Sequence, residues 1–538
     1  MEKIYRVMLG IFLICLIPVL LILSYWSCRY SYYGTVDYNM KNLLIKDSTW
    51  KHIIIFLLAS AAVYVADKLL AAQNRVMQEK ICICTLLITG VAAFILGSVY
   101  VLKNPYYPEG DQINVTAFAA YCREGNFIML SPGGYVGMYQ QQKGLGILYE
   151  ILFGLFGDFN YTSAKILHVV WWVLAILAGY GFLKLNTDRA IFRIVYCMMM
   201  LGCIPFLLYL PYIYGDVLSI SMGLVLFWAV SAYEHYGNKR YIVLAAGAAG
   251  IALLARKNTW IVLIAVGIYA VLACFKKKKG KYLLAGLAIL LTAALTVKAV
   301  DTMYEYRSGY PSGIGIPSIL WIAMGLQETE SAPGWYNTYN EATFVENNYD
   351  TDATAVASLE NIGESLQHFA KDPKYAWSFF NRKWAILWNN PTFECFTLQS
   401  NKVSNVELSS FVKSTIYDGG KINILLIAFF DVCQSIFLFG ILLYLLTEKK
   451  ADFGELLPFL LLIGAFVFWT FWETKCRYVL PYFLFVMPYS VLGYRNLIRQ
   501  WKSKAVRISL GIIAALIVLI GVSNFSVIRD SMKINKDT

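Results

Sequence analysis

The chain has 538 residues, of which 58% are hydrophobic and 15% are charged, and it carries a formal net charge of +12. A soluble protein carries about 25% charged residues. The apolar residues here form blocks of about 20, the length that crosses a hydrocarbon core of about 30 Å as a helix. The composition therefore excludes an ordinary soluble protein and predicts an all-α polytopic membrane protein.

Positive charge is concentrated in the short connections between apolar blocks. Lysines occupy positions 276–279 and 281, Lys239 precedes Arg240, and further basic residues lie within 495–507. Cytoplasmic loops carry such an excess, so these clusters predict a cytoplasmic N-terminus and no nucleic-acid partner. The 11 cysteines and four histidines lack the spacing of zinc ligands, so no metal site is predicted.

With the basic loops inside, the apolar blocks predict about 13 transmembrane helices. They are expected near 7–26, 52–71, 81–102, 161–183, 194–211, 217–235, 241–255, 258–275, 282–300, 421–446, 455–472, 479–494 and 508–528. Two of them fall within residues 1–80 and precede a transmembrane core at 81–300. An extracytoplasmic region at 301–420 follows, and C-terminal helices occupy 421–538.

Two segments outside the predicted spans are candidates for a functional surface. The outer loop 103–160 contains an apolar stretch, Gly144 to Gly157, that is short for a membrane span and is expected to form a helix along the outer surface. In the region 301–420, polar residues dominate. Its Trp and Tyr side chains are candidates for contacts with an acceptor sugar, and an interfacial belt or a small core is the alternative.

Ionisable residues are predicted at the outer ends of different helices, where they would converge on one cleft: Asp111, Asp216, Arg256, Glu473 and Arg477. Such a cleft suits a substrate with a lipid tail and a charged head. The alternatives are hydrated turn charges, a helix N-cap at Asp216 and a simple pair between Glu473 and Arg477. Asp431, in the middle of an apolar block, is expected to have an interhelical partner rather than a catalytic role.

Four local patterns occur in order along residues 81–494. They are an acid after an exiting helix (Asp111), a surface helix ending in Leu155-Phe156-Gly157, Pro211 before Asp216 with Arg256 in the next turn, and Glu473 before Arg477-Tyr478 and Leu480-Pro481. In these patterns the chain resembles the GT-C superfamily of polytopic glycosyltransferases. The similar members are protein mannosyltransferase-like and lipid A aminoarabinose transferase-like bacterial enzymes.

The resemblance implies a GT-C-like fold and inverting transfer of a sugar from a polyprenyl-phosphate-linked donor to an acceptor hydroxyl. The reaction is expected on the extracytoplasmic face of a bacterial plasma membrane. Asp111 is expected to be the base, because a phosphate is a good leaving group and one carboxylate then suffices. Asp216 would orient the acceptor or, with Asp111, hold a divalent cation; no other cofactor is expected.

The implied substrate-binding residues are cations and the groups beside them. Arg256 and Arg477 would stabilise negative charge on the departing phosphate, because a guanidinium matches phosphate geometry. Lys143 is a third candidate cation, and Glu473 and Tyr478 complete the late motif. The expected partners are the lipid-linked donor, membrane lipid and an acceptor that is a glycan, a lipid or a protein.

Two other functions stay open. A polymerase of lipid-linked polysaccharide repeats would need its arginines and tolerate loss of its acids. A transporter or flippase of lipid-linked sugars would have broken helices or inverted repeats around charges at the membrane midplane, for which Asp431 is the candidate.

Overall fold

Nearly all regular structure in the computed structural model is helical, over the described residues 2–35, 42–104, 106–187, 189–399, 408–447, 456–525 and 528. The helices are α1 Glu2–Arg29, α2 Thr49–Ala71, α3 Arg75–Lys103, α4 Asp111–Arg123, α5 Tyr135–Met138, α6 Lys143–Phe156, α7 Tyr161–Asn186, α8 Ala190–Gly202, α9 Ile204–Leu208, α10 Asp216–Tyr236, α11 Arg240–Ala255, α12 Trp260–Lys277, α13 Lys281–Ser308, α14 Ile319–Gly325, α15 Tyr339–Glu346, α16 Thr351–Lys371, α17 Pro373–Trp388, α18 Ser410–Ile416, α19 Lys421–Thr447, α20 Leu456–Phe471, α21 Leu480–Gln500 and α22 Lys504–Ser523.

Each apolar segment predicted from the sequence contains helix, and one of them is broken. The segment expected near 194–211 ends as α8 at Gly202 and restarts as the short helix α9. Pro205 explains the break, because proline lacks an N–H donor and its ring clashes with the carbonyl four residues earlier.

Within the described residues, seven helical segments are long and apolar enough to cross a membrane. They are Thr49–Ala71, Arg75–Lys103, Tyr161–Asn186, Asp216–Tyr236, Lys257–Lys277, Lys281–Ser308 and Ser410–Thr447. Shorter apolar helices are Ile14–Arg29, Ala190–Gly202, Arg240–Ala255 and Leu457–Phe471. These helices are those of a helical membrane protein.

Burial separates a central helix from peripheral ones. In the apolar stretch of α10, 78% of the residues are buried, against 11% in α2 and 22% in α3 and α13. The peripheral helices expose apolar side chains such as Leu57, Leu87 and Leu291. A helix that is apolar on its exposed face is suited to a lipid environment, so α2, α3 and α13 form the lipid-facing side.

Small residues allow two of the C-terminal helices to touch. A Cβ atom added at Gly493 in α21 would lie 1.9 Å from the carbonyl oxygen of Gly440 in α19. Glycine therefore permits this backbone contact, as small residues do in membrane helix pairs.

The helix expected at 144–157 is present as α6, and one of its faces packs into the protein. A Cβ atom at Gly144 would lie 2.5 Å from the carbonyl oxygen of Leu254, and one at Gly146 would lie 2.5 Å from the ring of Phe118. The other face exposes apolar side chains, including Leu155. The helix therefore has one face packed against α4 and α11 and one exposed apolar face.

A two-stranded antiparallel sheet lies in the connection between α1 and α2. Strand β1, Tyr30–Gly34, pairs with β2, Asn42–Lys46, in a register that places Tyr30 opposite Lys46. The backbone N–H of Tyr32 donates to the carbonyl of Asn389, over 3.1 Å. This hairpin was not predicted, and it anchors the N-terminal helices to the end of α17.

The region after α13 contains helices α14 to α18 and packs onto the turn between α20 and α21. The buried ammonium group of Lys383 in α17 donates to the carbonyl of Trp472, over 2.6 Å, and to the carbonyl of Gly325. The hydroxyl of Thr474 donates to the carbonyl of Pro333, over 2.6 Å. These bonds hold the turn that leads into α21.

Candidate active site

Four segments of the chain meet at one end of the apolar helices: the start of α4, the turn before α10, the turn between α11 and α12, and the turn between α20 and α21. At their centre lie Tyr212 and Tyr214, whose ring centroids are 5.7 Å apart. We call these two residues the tyrosine pair.

Asp111 begins α4 and is exposed to solvent. Gly110 before it has a φ of +54°, a conformation that glycine adopts without the strain of a side chain. A carboxylate in a first helical turn is stabilised by the helix dipole. The hydroxyl of Tyr135 donates to Oδ1 of Asp111, over 2.9 Å. The carboxylate is therefore oriented while it stays accessible to a substrate.

Asp216 and Arg256 form an ion pair in which Nη2 of the arginine lies 3.4 Å from Oδ1 of the aspartate. The two side chains are 10% and 14% exposed, so water screens the pair weakly. The guanidinium lies 4.9 Å from the ring centroid of Tyr214 and 5.4 Å from that of Tyr478. Oδ2 of Asp216 is buried and has no hydrogen-bond partner among the described residues.

The alternative of a helix N-cap at Asp216 is wrong. Gly215 occupies the cap position of α10, and the helix has no side-chain cap hydrogen bond. A Cβ atom at Gly215 would lie 2.0 Å from the carbonyl oxygen of Ala255. Glycine thus lets the two turns touch, and the contact brings Asp216 next to Arg256.

Arg477 reaches the same place from the turn before α21. Its Nη1 atom donates to the hydroxyl of Tyr212, over 2.7 Å. Its guanidinium lies 5.8 Å from the ring centroid of Tyr212 and 5.2 Å from that of Tyr478, which are cation–π distances. Its Nε atom is buried without a hydrogen-bond partner among the described residues, so one donor of this arginine is unsatisfied.

Glu473 is buried and accepts a hydrogen bond from the hydroxyl of Tyr478, over 3.3 Å. Burial raises the pKa of its carboxyl, and the nearby Lys475 and Arg477 oppose that rise. Among the described ion pairs there is none between Glu473 and Arg477. The alternative of a simple pair between them is therefore wrong, and Tyr478 contacts both groups.

Gln142 connects the two halves of the site. Its Nε2 atom donates to the hydroxyl of Tyr214 and, over 3.4 Å, to the hydroxyl of Tyr135. Tyr135 is the donor to Asp111, and Tyr214 lies under Arg256. Burial raises the pKa of Tyr214, Asp111 adds to the rise and Arg256 opposes it. Asp111 and Arg256 thus act on one tyrosine, although their positions in the sequence are far apart.

These residues form one group, which we call the charged cluster: Asp111, Asp216, Arg256, Glu473, Arg477, Tyr478 and the tyrosine pair. The sequence predicted the first six. Asp216 and Glu473 are buried, and Arg256 and Arg477 are half-buried. The alternative that these residues are merely hydrated charges in turns therefore fits only Asp111, which is exposed.

Lys143 lies apart from this group, and the prediction that it belongs with the two arginines is wrong. Its buried ammonium group donates to the hydroxyl of Ser312, over 2.6 Å, and to Oε1 of Gln140, over 3.2 Å. It also lies 3.8 Å from Oδ1 of Asp301. Burial lowers its pKa, and Asp301 opposes that shift. The rotation of α6 directs this lysine toward the end of α13.

Sequence reasoning missed the tyrosines and Gln142. Tyr212 and Tyr214 flank Ile213 in the turn that ends at Asp216, and their alternation places both rings near the cluster. The alternation was the available signal. Nothing in the sequence distinguishes Gln142 from its two neighbouring glutamines.

Glu394 is a further buried acid that the sequence did not single out. It is 4% exposed, and the thiol of Cys476 donates to its Oε1 atom over 3.4 Å. Phe393 and Glu394 have φ values of +50° and +61°, a conformation that is unfavourable for side-chain-bearing residues and is often retained at functional sites. Glu394 is next to the turn that carries Arg477.

A narrow cleft leads from the charged cluster between α10, α12 and α21. Its polar end contains Asp216 and Arg256, and its apolar end contains Ile220, Val262 and Phe485. The cleft has a volume of about 30 Å³ and lies where the charged cluster meets apolar side chains of these helices.

Asp111 and Asp216 make no metal site with other described residues. Asp111 is bonded to Tyr135 and Asp216 is paired with Arg256. Among the described residues, no three His, Cys, Asp or Glu side chains are grouped so that they could hold a metal ion.

Comparison with models of known protein families and with curated protein sequences finds no match. The fold and the site therefore define the class directly. The chain is a helical membrane protein that holds a tyrosine-lined group of acids and guanidinium groups at one end of its apolar helices.

Proposed function

We propose that the protein is a GT-C-type glycosyltransferase of a bacterial plasma membrane, which transfers a sugar from a polyprenyl-phosphate donor to an acceptor hydroxyl with inversion. The observation that carries the proposal is the charged cluster. Asp111, Asp216, Arg256 and Arg477 come from separate segments and surround one tyrosine pair beside a cleft with an apolar end. An amphiphile with a phosphate head fits this combination.

Asp111 is the base in this proposal. It is the accessible acid of the cluster, and Tyr135 holds its orientation through one oxygen atom, which leaves the other free to accept a proton. The attacking hydroxyl loses its proton to Asp111 as its oxygen forms the new bond to the sugar. The bond from the sugar to the phosphate breaks at the same step.

Arg256 and Arg477 stabilise the departing phosphate. Both lie over tyrosine rings, which orient the guanidinium planes, and Arg477 retains an unpaired buried Nε donor. Groups that are already oriented toward developing charge need no reorganisation during the reaction. Asp216 holds Arg256 in place through its Oδ1 atom, and its Oδ2 atom is buried without a partner among the described residues.

The lipid chain of the donor enters between α10, α12 and α21, beneath Arg256, where the helices must part because the cleft has a volume of only about 30 Å³. In the topology that the sequence predicts, about 13 helices span the membrane and the basic loops lie in the cytoplasm, as the positive-inside rule requires. The charged cluster then lies at the extracytoplasmic face. The helix α6 lies along that face with its exposed apolar side toward lipid.

The test is transfer of a radiolabelled hexose from a polyprenyl phosphate by purified wild type and Asp111→Asn. We expect the variant to lose about 10²–10⁴-fold in rate, the contribution of a well-placed base. The control is Asp158→Asn, which removes an acid of the same loop whose side chain is 37% exposed and paired with Arg123. Undiminished transfer by Asp111→Asn would overturn the proposal.

The same assay separates the polymerase alternative. That enzyme would tolerate Asp111→Asn but would lose activity with Arg477→Gln. The transporter alternative finds less support, because Asp431 has a partner in the bundle: its Oδ2 atom lies 3.0 Å from Nε2 of His52.

A further inference from the structure

A second, larger cavity lies beside the charged cluster and plays no part in the reaction steps above. Its volume is about 270 Å³. It lies between α11, α13 and the turns that precede α14 and α16. We call it the Lys257 cavity, and its lining includes Gln140, Gln141, Lys257, Trp260, Asp301 and Thr351.

Two short segments separate this cavity from the charged cluster. In the first, Gln140 and Gln141 line the cavity while Gln142 donates to Tyr214 in the cluster. In the second, Lys257 lines the cavity while its neighbour Arg256 pairs with the cluster acid. The cavity and the cluster are therefore on opposite sides of the same two turns.

The polar part of the cavity matches a neutral saccharide. The lining charges of Lys257 and Asp301 are opposite, and Asp301 also lies 3.8 Å from Lys143. Oε1 of Gln140 already accepts from Lys143 and from the N–H of Gly313, so Nε2 of Gln140 and the amide of Gln141 are the groups that face a ligand. A phosphate would meet the carboxylate of Asp301 as well as the lysine. Trp260, whose side chain is 36% exposed, offers a flat apolar face of the kind that packs against a sugar ring.

The part of the cavity between α11 and α13 is apolar. Leu253 and Leu254 of α11 and Val297 and Val300 of α13 form its wall. Helix α13 is one of the helices with a mostly exposed apolar surface. A ligand that filled the whole cavity would thus carry a chain that continues along α13.

We propose that the Lys257 cavity binds the acceptor and that the acceptor is a neutral saccharide carried on a lipid. That the bound glycolipid is an acceptor rests on the proposed glycosyl transfer. That the cavity binds a glycolipid does not depend on that proposal. The two substrates then lie on opposite sides of the segments 140–142 and 256–257. The phosphate carrier lies at Arg256, and the glycolipid lies at Lys257.

The test is photolabelling of the full chain in nanodiscs by octyl glucoside that carries a diazirine on its alkyl chain, below its critical micelle concentration. Octyl sulfate with the same diazirine is the matched probe for the chain alone. We expect the glucoside to label peptides that contain 253–260 and 297–301, and unlabelled octyl glucoside to compete. We expect the sulfate to label the lipid-facing helices without this preference.

The variant Gln141→Ala/Trp260→Ala should reduce labelling of these peptides about tenfold, because it removes one hydrogen-bonding amide and one ring contact. The control Gln367→Ala/Trp377→Ala changes the same residue types at exposed positions of α16 and α17 and should label as wild type does. Asp111→Asn should also label normally, which separates this proposal from failure of the transfer assay.

Three results would overturn the inference. One is labelling spread evenly over the lipid-facing helices. Another is equal labelling of the cavity peptides by the sulfate probe. The third is competition by free glucose that matches competition by octyl glucoside, which would show a site for a sugar without a lipid.

Discussion

Arg477 illustrates how single residues define the charged cluster. It is hydrogen-bonded to Tyr212 and lies over two tyrosine rings. Stacking and a planar fork of donors are properties of a guanidinium that an ammonium group does not share. The role of this position therefore depends on residue type and on more than its charge.

We predict that Arg477→Lys lowers the transfer rate by about 10²–10³-fold, the loss found when one preorganised donor is removed from a transition state. Tyr212→Phe, which removes the hydroxyl acceptor of Arg477, should cost only about fivefold. Single-turnover transfer measures both. The control Arg382→Lys alters an arginine that pairs with Glu328 outside the cluster, over 2.7 Å. Equal rates for Arg477→Lys and this control would contradict the assignment.

Lys383 is a buried residue whose effect should appear in stability. Burial lowers its pKa to about 7, and Glu473 opposes the shift. An unfolded lysine has a pKa of about 10.4, so between these values the unfolded state binds more protons. The free energy of unfolding should therefore rise with pH across that window. The contribution is complete above about pH 10.4 and is lost as the pH falls toward 7.

Thermal unfolding in detergent between pH 7 and 10 tests this prediction. The wild type should gain stability with rising pH relative to Lys383→Met, in which the titrating group is absent. Lys371→Met, at an exposed position of α16, is the matched control and should follow the wild type. Parallel curves for the wild type and Lys383→Met would contradict the prediction.

At the scale of elements, a buried polar network joins the N-terminal hairpin, α2 and α19. The prediction that Asp431 has an interhelical partner is confirmed, and the partner is His52. Nδ1 of His52 lies 2.6 Å from the hydroxyl oxygen of Ser435, and the hydroxyl of Ser31 donates to Asp431 over 2.6 Å. Ser31 also contacts Asp47, over 3.0 Å. The sequence could not identify these partners, because their pairing depends on how distant helices pack.

Removing one member of the buried pair should destabilise the fold more than removing both. His52→Leu alone leaves a buried carboxylate with the Ser31 hydroxyl but without its imidazole partner and should cost about 3–5 kcal/mol. The double variant His52→Leu/Asp431→Leu should cost less than His52→Leu alone and therefore less than the sum of the single variants. A double-mutant cycle by thermal unfolding measures the coupling. The pair Arg123–Asp158, with side chains 31% and 37% exposed, serves as the control, with an expected coupling of about 0–1 kcal/mol. Additive effects at the buried pair would contradict the account.

The elements differ in how well the sequence predicted them. Apolar blocks of helix length are a strong signal, because a membrane span needs about 20 such residues. The break at Pro205 follows from the chemistry of proline. The strands 30–34 and 42–46 were missed because each has five residues and their stability depends on pairing and on the contact with the end of α17.

At the scale of the whole molecule, the sequence predicted that charged turns would meet, and it did not predict how. The turns at 111, 216, 256 and 477 lie at one end of the bundle, which agrees with the alternation of the predicted spans. The rotation of α6, which sends Lys143 toward Asp301, depends on the contact of Gly144 with Leu254. Such side-chain directions follow from packing and have no local sequence signal.

The central claim is that guanidinium groups gather beside acids at one end of the bundle, and that the guanidinium groups hold the phosphate of a lipid carrier. The most direct measurement is the affinity of undecaprenyl phosphate for the protein in nanodiscs, compared among wild type, Arg477→Gln, Arg382→Gln and Asp111→Asn. We predict that Arg477→Gln weakens binding about 100-fold, whereas Arg382→Gln and Asp111→Asn bind as wild type does. Unchanged affinity in Arg477→Gln would contradict the account.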